Sequence, residues 1–320
     1  MHAPRSLPRR SFLVAAAAVP FLAACGGDDD PPPPLPVSVI DTAKGDARFS
    51  TLLAAVEAAG LTAALSGPGP YTIFAPTNDA FAALLTELGV TQQALLADTA
   101  TLAAVLQYHV LDSRVGSVGV EPGKPLEPLA GGYFAVTSGT SGLGFQDGRN
   151  RTGGITQVDI IGSNGVIHVL DKVMLPANLT VVGVAQSLDD FSILVEAVVA
   201  AGLVDTLSGE GPFTVFAPTN DAFAALLTEL GVTKEALLAD TALLTSVLTY
   251  HVVPGLVLAA DVPFDTPIET VQTGTFTVAD TLVVTDERSR TANITTTDVF
   301  ASNGVIHVLD RVILPAPATA

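Results

Sequence analysis

The sequence predicts an α+β chain that builds one unit of roughly 140 residues twice in tandem. Three observations predict it. The block FAPTNDAFAALLTELGVT at Phe74–Thr91 returns unchanged at Phe216–Thr233. A second block, SNGVIHVLD, fills both Ser163–Asp171 and Ser302–Asp310. Inside each copy helical periodicity comes first and strand-like alternation follows. That order, without regular βα alternation, indicates segregated layers rather than a doubly wound sheet.

The two copies align closely. Gly67–Leu111 and Gly209–Val253 share 35 of 45 positions at an offset of 142, and the second block sits at an offset of 139. Copy two has therefore lost a net three residues between the blocks. A period this long means two complete domains rather than a solenoid. They are expected at residues 37–176 and 178–315, with a short tail at 316–320. The joint, Pro176-Ala177-Asn178, is short enough to restrict their relative orientation. Hydrophobic residues make up 48% of the chain and charged residues 14%, ample material for two cores.

In copy one, Phe49, Leu52, Leu53 and Val56 recur at helical spacing, and Gly60 stops that helix. Phe191, Leu194, Val195 and Val198 repeat it, with Ser187 and Asp190 set as a capping box. Gly67-Pro68-Gly69-Pro70 forces a turn, and Tyr71–Phe74 reads as a strand. Thr77 or Asn78 caps the next helix, whose inward face is Phe81, Leu84, Leu85 and Leu88 and whose stop is Gly89. Two short helical stretches then lead to Tyr108-His109. Beyond them, Gly132–Thr137, Gly154–Ile161 and Val166–Leu175 read as strands. The copies differ most over Ser113–Gln157 and Pro254–Thr296, which read as surface strands and loops.

The first thirty-six residues are an address rather than part of the fold. Arg5, Arg9 and Arg10 precede an apolar stretch, Leu13–Ala24, too short to span a bilayer as a stable helix. Leu22-Ala23-Ala24-Cys25 reads as a lipobox: residues 1–24 are a signal peptide, and Cys25, the sole cysteine, is acylated. Several acyl chains anchor durably where one does not. Arg9-Arg10-Ser11-Phe12-Leu13 resembles a twin-arginine export motif. Residues 25–36, with three aspartates and five prolines, form a semi-rigid stalk reaching roughly 30 Å. Gly26 after the cysteine favours the outer over the inner membrane. Removing the leader takes the net charge from −18 to 11 basic against 32 acidic side chains, a balance of −21. A surface that acidic repels nucleic acid.

Three ordered motifs, each present twice, identify a family. Thr72–Phe81 resembles the first signature block of fasciclin (FAS1) domains and Ser163–Asp171 resembles the second. Tyr108-His109 stands where that family has its Tyr-His motif. Copy two supplies Thr214–Phe223, Tyr250-His251 and Ser302–Asp310. The resemblance implies a seven-stranded β-wedge or sandwich with several packed helices in each domain. It also implies a role in adhesion or matrix contact, and no shared chemistry. In animal members the Tyr-His region and an Asp-Ile dipeptide before the second block are tied to integrin binding. The matching positions are Tyr108, His109, Asp159 and Ile160, then Tyr250, His251 and Asp298, where copy two departs by carrying Val299.

The residues themselves point the same way. His109, His168, His251 and His307 form two equivalent pairs, fewer than the three or four ligands a metal site takes. His168 and Asp171 lie three apart on a strand and so on opposite faces. Tyr108-His109 reads as a packed helix-to-strand corner held by a hydrogen bond. No Gly-x-Ser-x-Gly elbow, phosphate loop or catalytic cysteine is present. The expected function is a non-enzymatic, lipid-anchored module that binds matrix, glycan or protein partners, with no cofactor, no metal and no nucleic acid. An envelope protein for a small molecule or cofactor is the alternative, and a hydrolase with unpaired carboxylates in sequence the third.

Overall fold

A computed structural model describes residues 37–139 and 142–317. In the first half the chain runs α1 (Val39–Lys44), α2 (Ser50–Ala58), α3 (Thr62–Ser66), β1 (Tyr71–Pro76), α4 (Asn78–Leu88), α5 (Gln92–Ala97) and α6 (Thr99–Tyr108). It continues with β2 (Val110–Leu111), β3 (Pro125–Leu126), β4 (Phe134–Gly139), β5 (Gly142–Gln146), β6 (Thr152–Gly162) and β7 (Gly165–Leu170). The second half repeats this as α7 (Val181–Gln186), α8 (Ser192–Ala200), α9 (Val204–Ser208), β8 (Phe213–Pro218), α10 (Asn220–Leu230), α11 (Lys234–Ala239) and α12 (Thr241–Tyr250). Its strands end the chain: β9 (Val252–Pro254), β10 (Ile268–Glu269), β11 (Thr275–Val278), β12 (Val283–Thr285), β13 (Thr291–Ala301) and β14 (Gly304–Leu309). Each half is thus α+β with one seven-stranded sheet, ordered β2-β1-β7-β6-β5-β4-β3 and β10-β11-β12-β13-β14-β8-β9.

The two repeated blocks are neighbouring strands. β1 and β7 pair in parallel, with Tyr71 opposite Gly165 and Phe74 opposite His168. All six residues of β7 are buried, as expected for a strand covered on both faces. Alternate residues serve two cores. Ile73, Ala75, Ile167 and Val169 face the helices with Phe49, Leu52, Phe81 and Leu102. Phe74 and Leu170 face the other way, onto Phe134, Val136 and Phe145 from β4 and β5. The sheet turns at β6, where register shifts mark a bulge and Asp159 adopts a left-handed φ of 58°. Asp298, φ 54°, repeats that bulge in β13.

The helix signals work locally as read. Thr77 caps α4 by accepting from the Ala80 N–H at 3.3 Å, and Gly89 ends it at φ 66°. Asn78 ties that cap to α2, accepting from the Thr51 N–H at 2.9 Å and donating to the Ala47 carbonyl at 2.9 Å. Asn164, in the turn between β6 and β7, accepts from the Val39 N–H at 2.9 Å. Its amide also donates to the carbonyls of Leu65 and Gly67 at 3.0 and 2.7 Å. Asn220 and Asn303 repeat these roles.

Three expectations need correction. Ser187 and Asp190 form no capping box: the Ser187 hydroxyl donates backward to the Val184 carbonyl at 2.7 Å, closing α7. The β-branched, glycine-containing run of α7 hid that helix. The variable segments after the Tyr-His pair are not merely surface, because Phe134, Val136 and Phe145 are wholly buried, as are Val278 and Val284. Divergence reaches inward positions too, where buried Phe145 of one half is matched by buried Val284 of the other. The run Val166–Leu175 is strand only to Leu170, beyond which Asp171 takes the Gly154 N–H at 2.7 Å and the chain leaves the sheet.

Asn164→Ala would strand one buried N–H and two carbonyls at once. At about 1–3 kcal/mol for each unsatisfied group, it is expected to cost the first half several kcal/mol. Urea unfolding should show an early transition for that half, and Asn303→Ala the same for the second. An unchanged midpoint would refute the role given to these side chains.

Candidate functional site

At the end of α6, Tyr108 and His109 turn inward, 0% and 2% exposed. The Tyr108 ring packs on Phe134, and its hydroxyl donates to the Tyr133 carbonyl. Tyr250 repeats this, donating to the Thr275 carbonyl at 2.6 Å and accepting from the Glu287 N–H at 3.2 Å. Burial raises both phenols well above their usual pKa. His109 Nδ1 meets the Val105 carbonyl at 2.7 Å, while Nε2 accepts from the Met174 N–H at 2.9 Å. That pairing requires a neutral ring with its proton on Nδ1. His251 bridges Val247 and Ile313 in the same way. The Tyr-His pair therefore fastens the last helix to the segment after the last strand, with its polar atoms spent inside the fold.

The other two histidines carry the opposite tautomer. His168 Nε2 meets the Val115 carbonyl at 2.9 Å and Nδ1 accepts from the Asp159 N–H at 3.3 Å. His307 joins Val257 and Asp298 likewise. The bulge aspartates, placed alike, are tuned apart. Asp159 is half-buried and accepts from both the hydroxyl and the N–H of Ser117, which hold its carboxyl below the usual range. Asp298 is 6% exposed and has Ala259 in place of that serine, accepting its N–H at 3.0 Å. Burial raises the Asp298 carboxyl and lowers His307. Ile160 packs partly against the helical core, whereas its neighbour Ile161 is 60% exposed.

Sequence reasoning missed a third constellation. Asp147, 0% exposed, accepts from the N–H groups of Arg149 and Arg151 at 2.9 Å, from the Leu175 N–H at 2.9 Å and from the Arg151 guanidinium at 2.8 Å. Arg151 also reaches Glu87 on α4 at 2.8 Å. Asp286 repeats the backbone bonds, accepting from the N–H groups of Arg288, Arg290 and Leu314, and Arg290 reaches Glu229 at 2.8 Å. Among the described residues, however, the Arg290 guanidinium does not bond Asp286 and keeps a buried Nη1 unpaired. The signal was legible as Asp-x-Arg-x-Arg, present at 147–151 and 286–290 inside otherwise divergent segments.

This turn also joins the halves, which lie within one compact unit. Asn150 Nδ2 donates to the Phe300 carbonyl at 3.0 Å and Oδ1 accepts the Phe300 N–H at 2.8 Å. Around that contact Ala135, Leu258, Phe300 and Val305 form a buried cluster edged by Tyr133 and Leu256. Beside it opens a cleft of about 710 Å³, lined among others by Tyr133, Ser208, Glu210 and Asn303. Cavities inside the cores measure only about 20–70 Å³, water-sized rather than ligand-sized.

Cys25, Arg9 and Arg10 lie outside the described residues, as does the whole of the leader and stalk. Among the described residues no three His, Cys, Asp or Glu side chains gather as metal ligands. No described helix is long and apolar enough to cross a membrane.

Comparison with known proteins places the halves. The family model for the Fasciclin domain matches residues 47–176 and again 189–315. Protein sll1483 of Synechocystis is 47% identical over 149 residues, 46% of this chain and 79% of that protein. Transforming growth factor-beta-induced protein ig-h3 of Oryctolagus cuniculus is 31% identical over 264 residues, 79% of this chain. The chain spans only 36% of that relative's length. Cell surface glycolipoprotein MPB83 of Mycobacterium bovis is 38% identical over 116 residues, 35% of this chain and 48% of that protein. Among solved structures, a FAS1 domain pair from the insect cell adhesion molecule Fasciclin I aligns at a TM-score of 0.42 and 18% identity, over 86% of this chain and 95% of that one.

The buried histidines make acid a test of the site. Desolvation lowers His109 and His251 from 6.5 to about 4. The unfolded chain takes up these protons first, so stability is complete above pH 6.5 and falls as pH drops toward 4. The expected loss is about 3 kcal/mol per half. In the second half Asp298, with its carboxyl raised, gains as pH falls, while buried His307, lowered like His251, loses. Urea midpoints of both halves should fall between pH 7.5 and 4.5. In His109→Gln, whose amide stays neutral, the first half's pH dependence should flatten; an equally steep profile would remove His109 as the cause.

Proposed function

Because the chain belongs to the Fasciclin domain family over both of its halves, we propose that it is a non-enzymatic adhesion or interaction module held at the bacterial envelope by a lipid. The observation that carries this reading is the inward commitment of the motif residues. Tyr108, His109, Tyr250 and His251 are buried and spend their polar atoms on backbone groups. They build a firm scaffold, leaving the outer surfaces of the two domains to meet partners.

The anchor is read from Leu22–Cys25, with the aspartate- and proline-rich residues 25–36 as stalk and Arg9-Arg10 directing twin-arginine export. The kinship with a cell surface glycolipoprotein supports that placement, and Gly26 favours the outer membrane. The net charge favours neutral or cationic partners, namely matrix, glycan or protein rather than nucleic acid. The cleft beside the joint, with Tyr133 and Glu210 in its lining, favours a small-molecule ligand as second reading.

Two measurements test the proposal. The acylated chain, used as bait on solubilised envelope and on a glycan array, is expected to retain a partner above background. Retention of nothing, together with turnover in a glycoside and ester substrate screen, would replace the binding role by a hydrolytic one. Cys25→Ser is expected to abolish incorporation of labelled palmitate and release the chain from the membrane fraction. Continued incorporation would overturn the anchor.

A further inference from the structure

The joint between the halves displays what this fold can receive. In β13, Phe300 stands opposite Val305, one pair in from the Ala301–Gly304 pair that closes the turn. Antiparallel strands alternate positions whose N–H and C=O face the partner strand with positions where they face away. Those of Phe300 face away, because both are taken by the single amide of Asn150, at 2.8 and 3.0 Å. Gln146 Nε2 adds a bond to the Asp298 carbonyl at 3.1 Å. One turn thus completes an open strand edge much as another strand would, with Phe300 and Leu258 as its apolar seat.

The first half repeats the open strand edge, with Ile161 in place of Phe300 and Gly116 in place of Leu258, and among the described residues it is uncovered. Ile161 stands opposite Val166, again one pair in from the turn-closing pair, Gly162–Gly165. By the same alternation its N–H and C=O face away from β7, and β5 pairs with β6 no further than Gly154. Among the described residues no other element meets them. The Ile161 side chain is 60% exposed where Phe300 is 2%. The loop beside it is held as in the second half, by the Ser117 N–H on Asp159 at 2.9 Å, and carries Val118, 100% exposed.

We propose that the β6 edge at Ile161 is a docking site for a fasciclin-type domain of another protein, which presents an asparagine amide from the turn before its long strand as Asn150 does. The inference rests on the reading of the chain as an interaction module. The occupant follows from continuity with the joint: the open strand edge repeats, and this turn is what fills its counterpart. A second copy of the chain offers a poorer fit. Its Asn150 is spent on its own Phe300, and its second half presents Ser289, Thr275 and Thr277 where Asn150, Tyr133 and Ala135 stand. A serine hydroxyl both donates and accepts, but through one oxygen on a shorter side chain, where the Asn150 amide presents two separate atoms to the N–H and the C=O.

The chain supplies its own probe. Phe300→Asp places a carboxylate in the joint, releasing Asn150 in a molecule that retains Ile161. Phe300 belongs to the joint cluster and not to the second half's two core clusters, so the fold is retained, with circular dichroism as the check. Phe300→Pro, which removes the N–H that Asn150 accepts, is the second variant. Sedimentation velocity up to about 200 µM should show a monomeric parent and concentration-dependent association of either variant. Adding Asn150→Ala or Ile161→Asp should weaken that association by about tenfold or more. Monomeric variants, or association indifferent to both added changes, would overturn the proposal. Self-association of the parent chain lost in Ser289→Ala would assign the seat to a second copy instead. Envelope capture reads whether any partner exists and sedimentation reads this edge, so either can fail alone.

Discussion

The parallel contact between the first and last long strands of each half governs everything around it. A parallel pair cannot be closed by a tight turn and needs a long connection. Here that connection is the rest of the domain, about ninety residues from β1 to β7. The strands begin side by side because Gly69 and Gly165 bring backbone against backbone. A Cβ on Gly69 would collide with the Asn164 carbonyl, and one on Gly165 with that of Tyr71. Gly211 and Gly304 meet the same restriction in the second half. Once the pair is set, one face is left for helices and the other for the remaining strands. Each half consequently carries two cores on either side of one sheet.

Much of this was legible because the repeated blocks coincide with the tightest constraints. The alternation in Tyr71–Phe74, the cap at Thr77 and the stop at Gly89 are local, and local chemistry decided them. The helices α1 and α7 were not legible. The latter, Val-Val-Gly-Val-Ala-Gln, is β-branched and glycine-containing, and tertiary burial of Val181, Val182, Val184 and Ala185 overrides its weak propensity. The reading of residues 113–157 as surface failed for a related reason. Divergence between copies was taken to mean exposure, yet it falls on both faces of strands whose alternate positions fill a core, as where buried Phe145 stands in one half and buried Val284 in the other. The Asp147 turn was missed because its meaning lies in long-range partners, the Leu175 N–H and Glu87, that no spacing reveals.

The same logic separates kinship from function. The motif residues that mark the family are spent here on holding the fold's joints together. His109 fixes Val105 to Met174, and His168 fixes Val115 to the Asp159 bulge, each with a defined tautomer. A side chain already holding two backbone groups in a dry site has no atom left for a partner. Where sequence placed candidate contacts at Tyr108, His109, Tyr250 and His251, the geometry assigns them to the scaffold. The bulge carrying Asp159 and Asp298 is different, because it bends the sheet and leaves an edge outside.

That edge shows how near-identical halves acquire unlike surfaces. The second half has Phe300, Leu258 and Ala259 around its bulge and is covered by the first. The first half has Ile161, Gly116 and Ser117 at the matching places and, among the described residues, is uncovered. A head-to-tail contact between like units closes into a ring or continues as a filament unless the end units differ. Here they differ on both sides of the contact: the free seat lacks the phenylalanine, and the free turn of the second half lacks the asparagine. Replacement of a few residues at the two outer faces confines the contact to the joint, so the pair is a closed unit whose remaining seat answers to an amide the chain itself does not have to spare.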